Sequence, residues 1–241
     1  MGSDGGTVRA SGLTTALDTI IAPKEAFERL RTAPTWGWAL LLVIACYALA
    51  SYLMTPALMH GFQADWPRQV AANPQLAQGT PEEQRRYLEI SLKFVQFSWT
   101  FAPITAVLSI LVQSLLMLIF KAVGRGDTRF ATLWSAATNI QVPALGLAAL
   151  VTAVIVMLRG PDAFNSIAEV QGAMPSLGLF VDPSATKLHA FLLVFNPFTL
   201  WGCGLTILAM IVAARVGRVW AWATGVAWLL AAALLVAMVA R

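Results

Sequence analysis

Between Arg129 and Arg159 the chain reads FATLWSAATNIQVPALGLAALVTAVIVML, residues 130–158, with no charged side chain and no histidine. About 20 mainly apolar helical residues cross a bilayer core, and this run is about 43 Å long as straight helix at ~1.5 Å per residue. It predicts a membrane span that tilts or bends to fit. Four more runs repeat the pattern: 36–58, 94–120 between Lys93 and Lys121, 188–214 between Lys187 and Arg215, and 219–240 between Arg218 and Arg241. His189, at the start of the fourth run, is the one Asp, Glu, Lys, Arg or His inside any of them. Trp36, Trp38, Trp99, Trp134, Trp220 and Trp222 fall near run starts, where indole rings prefer the headgroup zone. The expected fold class is all-α, a polytopic membrane bundle of five transmembrane helices over residues 36–240.

Composition agrees. Apolar residues make up 58% and charged residues 12%, about half the charged share of a soluble domain. This excludes an ordinary soluble enzyme and a disordered chain. The net charge of +4 is scattered, so no nucleic-acid partner is expected. Cys46 and Cys203 both lie in apolar runs, which argues against a disulfide framework and gives no metal-ligand spacing.

Residues 1–12 are Gly-rich and expected to be disordered. Residues 13–35 form an amphipathic segment, expected on the cytosolic side. In it Leu13, Leu17, Ile20, Ile21, Phe27 and Leu30 recur near helical spacing, and Lys24, Glu25, Glu28 and Arg29 take the other face. Two placements are open: helices lying on the membrane, broken at Pro23, or a helix packed on the ends of the bundle. The head is too long and too acidic for a signal peptide. Thr80-Pro81-Glu82-Glu83 is a capping box with proline at the first helical position, starting a helix expected to run unbroken into the second span. Residues 163–171 are expected to form one short helix, with Phe164, Ile167, Leu177, Leu179, Phe180 and Val181 covering the outer span ends. The short loops 121–129 and 215–218 are basic, so the N-terminus is expected in the cytoplasm and the C-terminus outside.

Ionisable residues deep in a membrane mark ion or proton paths, and none is present here. The polar residues at depth are Gln113, Ser114, Asn139, Gln141 and Asn196. Asn139 and Gln141 lie just before Pro143, and Asn196 immediately precedes Pro197. Pro103, Pro143 and Pro197 are expected to kink their spans, because proline removes a backbone donor and clashes with the carbonyl four residues back. Gln113, Asn139, Gln141, Pro143, Asn196, Pro197 and Trp201 are the candidate polar and kink site. Two readings apply to it: hydrogen bonding between helices, or a polar pocket where the third and fourth spans meet. Gly202, Gly204, Ala221 and Gly225 are candidate helix-packing positions, the last two a small-xxx-small match. No catalytic residue, metal site or cofactor is assigned. His60 and His189 read as interfacial, and Asp182, Ser184 and His189 do not read as a triad.

Three ordered stretches carry a resemblance: residues 20–30 (IIAPKEAFERL), 124–130 (GRGDTRF) and 196–205 (NPFTLWGCGL). With the five-span plan they resemble the bacterial branch of the Yip-type (Ypt/Rab-interacting protein) domain family, over roughly residues 13–240. The resemblance implies five spans and a cytosolic N-terminus. Eukaryotic members act in vesicle traffic through prenylated Rab-type GTPases. Their Asp-Leu-Tyr-Gly-Pro segment has no counterpart in Arg31-Thr32-Ala33-Pro34-Thr35-Trp36, so GTPase binding is not carried over. The family brings no catalytic residues. The expected function is a non-enzymatic scaffold or accessory subunit of a membrane-protein or export complex in the bacterial inner membrane. Its expected partners are membrane lipids, other integral membrane proteins and, through the small-residue faces, a second copy of the chain. The alternative is a small permease or lipid-handling protein.

Overall fold

The computed structural model describes residues 11–182 and 185–240. Ten of the twelve head residues expected to be disordered, and Ser184, lie outside the described residues. Ser11 caps the first helix, α1 (Gly12–Ile21), by accepting from the Thr14 amide. After the Ala22 break, Pro23 opens α2 (Pro23–Thr32) at a position where its missing N–H leaves nothing unpaired. Then follow α3 (Gly37–Ala72), α4 (Pro74–Ala77), α5 (Pro81–Gln96), α6 (Ala102–Val123), α7 (Phe130–Gln141), α8 (Ala148–Arg159), α9 (Ile167–Gln171), α10 (Thr186–Leu193), α11 (Pro197–Val212) and α12 (Arg218–Val239). No strand occurs among the described residues.

Four stretches are long and apolar enough to cross a membrane: Gly37–Ala72, Ser98–Val123, Phe130–Arg159 and Arg218–Met238. A fifth is the bent pair α10 and α11, at 58° to each other. The third span is central, touching α3, α6 and α11, while α12 closes against α6 and α11. Of the four straight spans it has the largest buried share, and α7 is buried almost all round, from Thr132 and Leu133 through Ser135 to Gln141. The end where α3 begins is called proximal below, the other distal.

Each proline resolves differently. Pro103 lies in the first turn of α6, preceded by a 3₁₀ turn over Ser98–Phe101. The helix expected to run unbroken from Thr80 into the second span therefore stops at Gln96, and tightening before the proline avoids the clash a continuous helix would suffer. Pro143 sits in a π turn, Val142–Leu147, between α7 and α8. The wider turn relieves the i→i−4 register that proline cannot complete. Pro197 begins α11 rather than kinking a continuous span, because Asn196 caps it: Oδ1 accepts from the amides of Phe198 (3.0 Å) and Thr199 (3.1 Å). Pro56 and Pro67 lie inside α3, which carries helix beyond the apolar run 36–58 through Asp65-Trp66-Pro67-Arg68.

The two placements of the amphipathic segment divide between its helices. In α2, Ala26, Phe27 and Leu30 are fully buried, the last two in a core with Leu133, Ile140, Ala209 and Met210. In α1, Ala16 packs with Ala39, Val43 and Val142, while Leu13, Leu17 and Ile21, one apolar stripe, stay exposed. An ion pair from Arg29 to Asp18 ties α2 to α1. At the distal end Phe164 is buried, its carbonyl against His60 Nδ1 at 3.1 Å and its ring under the Arg159 guanidinium. Leu179 and Phe180 remain largely exposed.

The Thr80 cap is complete. The Thr80 amide donates to Glu83 Oε2 (2.8 Å), the hydroxyl also donates to it (3.0 Å), and the Glu83 amide donates back to Thr80 Oγ1 (3.3 Å). These donors hold the Glu83 carboxyl below its ordinary value of 4.5. A depressed carboxylate stabilises the fold above its ordinary titration range and loses that contribution as pH falls through the native value. Amide protection in the first turn of α5, corrected for intrinsic exchange, is expected to fall between about pH 6 and about pH 3. Thr80→Ala, which removes the cap, is expected to lower it at both.

Candidate functional site

The central helices bring two of the singled-out polar residues, Gln113 and Gln141, to one level. Gln141 is ~17 Å along the third span from Phe130, and Gln113 is ~15 Å back along α6 from Val123, at ~1.5 Å per residue. Gln141 Nε2 donates to Gln113 Oε1 (2.7 Å), and Gln113 Nε2 donates to the Thr206 hydroxyl (2.9 Å). Thr206 in turn donates to the Gly202 carbonyl (2.7 Å). Gln113 and Thr206 are fully buried and Gln141 nearly so. A directional chain of donors thus joins the second, third and fourth spans. Ser114, also buried, turns back to the Leu111 carbonyl (2.9 Å).

Asn139 belongs to a separate contact. Its Nδ2 donates to the Thr35 carbonyl (3.0 Å) and to the Ser135 carbonyl one turn back (2.7 Å). It pins the strand-like link between α2 and α3 to the third span. Asn139 Oδ1 and the Thr35 hydroxyl are buried without a hydrogen-bond partner. Asn196 is spent on capping α11, and its N–H is held by Thr199 Oγ1 at 3.2 Å. Trp201 packs partly buried at the edge of the core, with its ring 6.5 Å from that of Phe198. The singled-out residues therefore form three local arrangements rather than one.

The small residues also separate. A Cβ on Gly202 would lie 2.8 Å from Ala144 Cβ, so the fourth span is seated directly on the π turn. Gly146, in the same turn, faces Cys46 and Val43 of α3. The turn that accommodates Pro143 is thus the crossing point of three spans. A Cβ on Gly225 would lie 2.5 Å from Ile207 Cγ1 and 3.0 Å from the Cys203 carbonyl, and Ala221 is fully buried in the core. The small-xxx-small pair of α12 is used inside this chain, against α11. Gly204 points away and would meet nothing within 4 Å.

This arrangement of spans and contacts has a counterpart in sequence: the chain matches the Yip1 domain over residues 17–240. The chain belongs to the Yip1 domain family. With four long apolar spans and a bent pair it is an integral membrane protein. No curated protein and no solved structure matched the chain. The Yip1 domain covers α2 through α12 and the second half of α1, so the buried face of Phe27 and Leu30 is part of it.

Thr206, Thr35 and Thr132 escape a search of the sequence for amides and prolines. Threonine is unremarkable in a membrane helix because its hydroxyl can return to its own i−4 carbonyl, and only a partner across the bundle reveals Thr206. Among the described residues no group of three His, Cys, Asp or Glu could hold a metal ion. What the Gln113–Gln141–Thr206 chain offers chemically is neutral hydrogen bonding, which orders helices and carries no charge.

Proposed function

We propose that this Yip1 domain protein is a non-enzymatic membrane scaffold or accessory subunit that binds other integral membrane proteins. The reading rests on the Gln113–Gln141–Thr206 chain. The polar side chains that could line a route across the bundle are bonded to one another over three spans, so they fix helix positions. The lipid-facing surfaces are broad and apolar: Ile104, Leu108, Leu111, Leu115 and Ile119 along α6, and Trp222, Val226 and Leu230 along α12. Small-residue contacts already consumed inside the chain leave such flanks, with Gly204 beside them, for a partner.

Its placement in this reading is the bacterial inner membrane, with the proximal end and N-terminus in the cytoplasm. The basic turns at Arg125 and Arg129 and at Arg215 and Arg218 support that orientation. A C-terminal reporter active only outside the cytoplasm is expected to score; a cytoplasmic signal reverses the assignment. Cross-linking in native membranes, gentle detergent purification and mass spectrometry test the function. A stoichiometric membrane-protein partner is expected, and recovery of the chain alone in native membranes overturns it.

The broken fourth span supports a second reading, a small permease or lipid-handling protein, since interrupted helices flank substrate sites in transporters. Solute flux into vesicles that disappears in Gln113→Leu/Gln141→Leu would establish it in place of the scaffold.

A further inference from the structure

Away from the Gln113 network, a cleft of about 370 Å³ opens at the proximal rim, lined by Arg31, Thr32, Pro34, Asp127, Thr128, Arg129 and Thr132. That volume suits a small polar group. Two observations point to what fills it. Arg31 and Arg129 make no ion pair with any carboxylate among the described residues, and Asp127 in the same cleft makes none with any basic side chain among them. Opposite charges that share a cavity without closing on one another leave a positive and a negative pole to be matched from outside. The floor is Thr132, 3% exposed, whose hydroxyl finds no hydrogen-bond partner among the described residues. Unlike the Thr35 hydroxyl, that of Thr132 is not sealed off from solvent, so it opens into the cleft and is free to donate to a ligand. Thr132 stands in the first turn of α7, where its own N–H and that of Leu133 are held by the Arg129 carbonyl and the Phe130 and Ala131 N–H groups at the helix start have no helical partner.

The surroundings place the cleft at headgroup height. Trp36, Trp38 and Phe130 flank it in the chain and are exposed, and Trp36 packs edge-on to Trp134 with ring centroids 6.4 Å apart. Exposed tryptophans mark the membrane–water interface. One turn of α7 separates the Thr132 level from Ser135 and a second separates Ser135 from Asn139, which grips Thr35. The rim is thereby anchored to the core.

We propose that this cleft binds a phospholipid headgroup of the proximal leaflet, a phosphodiester bearing a primary ammonium, as in phosphatidylethanolamine. The phosphate oxygens accept from Arg31, Arg129 and the Thr132 hydroxyl; the ammonium donates to Asp127. Guanidinium groups suit phosphate because their planar donors match two oxygens at once. The site stands independently of the scaffold reading.

The test uses the full chain, stripped of lipid in detergent, titrated with short-chain phosphatidylethanolamine, phosphatidylglycerol and phosphatidylcholine and with inorganic phosphate, read by native mass spectrometry. Wild-type protein is expected to retain phosphatidylethanolamine over phosphatidylglycerol and phosphatidylcholine, and to hold inorganic phosphate weakly. Arg129→Gln is expected to weaken phosphatidylethanolamine about tenfold, and Thr132→Val, which removes only the hydroxyl, severalfold. Asp127→Asn is expected to reverse the preference toward phosphatidylglycerol. Arg129→Lys keeps the charge and serves should the glutamine variant fail to fold; it loses the paired donors and is expected to bind at an intermediate level. Equal binding by wild type and Thr132→Val or Arg129→Lys overturns the site. Phosphatidylglycerol favoured by the wild type overturns the zwitterionic headgroup, and inorganic phosphate competing as well as lipid makes it a free-phosphate site instead.

Discussion

Replacing Gly225 with alanine lowers the stability of the bundle by about 1–3 kcal/mol, the usual range for overpacking a close contact. The added methyl would sit 2.5 Å from Ile207 Cγ1 and 3.0 Å from the Cys203 carbonyl. Cγ1 lies near the backbone and the carbonyl belongs to it, so α12 itself must move away from α11. Gly204→Ala is the matched control. It directly follows Cys203 on the same span, faces outward, and a Cβ there would meet nothing within 4 Å. There alanine gains helix propensity, up to ~1 kcal/mol, and the unfolding midpoint is expected to hold or rise. Thermal or denaturant unfolding in mild detergent separates the two. Equal losses for both substitutions would show that the α11–α12 seam is not where the close contact lies.

The second large effect is a reversal. Gln141→Leu removes the donor to Gln113 Oε1 and leaves that oxygen buried with no other hydrogen bond. An orphaned acceptor costs about 1–3 kcal/mol, toward the upper side of what interhelical bonds in membranes contribute. Adding Gln113→Leu removes the orphan. Thr206 keeps its bond to the Gly202 carbonyl, so nothing else is stranded. The double variant is expected to be no less stable than Gln141→Leu alone, and the double-mutant cycle to give a coupling of about 1 kcal/mol or more. Additive losses in the cycle would mean that the two amides do not act as a pair.

The span count was legible because charge is so costly in hydrocarbon: Lys93, Lys121, Arg129, Arg159, Lys187 and Arg215 bracket the apolar runs. The partners within the bundle were not. Gln113 meets residues 28 and 93 positions away in sequence, and α7 is buried on its polar and its apolar side alike, so amphipathicity does not show which side meets which span. Gly202 and Gly204 look alike in sequence, and only the neighbouring helix tells them apart. Asn196-Pro197 admits two readings in one dimension, a kinked span or a capped new start. Thr199, positioned to answer Asn196, was the local clue that a helix begins there. For the amphipathic segment, periodicity could not choose between membrane and bundle, and each of its two helices took a different surface. The cleft was invisible because Arg31 and Thr132 are some hundred residues apart.

The burial of Phe27 and Leu30 has a consequence for synthesis. Their docking site includes Leu205, Ala209 and Met210, roughly 180 residues later in the chain. At ~5–20 residues per second of translation, α2 waits on the order of ten to forty seconds before that site exists. Its apolar stripe must be sheltered meanwhile, and the membrane surface is the shelter its amphipathic pattern suits. The helix made among the first is therefore among the last to seat, and a nascent chain halted before the fourth span would carry it as a surface-bound arm. Seating of α2 then reports completion of the bundle: it is the latch that closes once every span is in place.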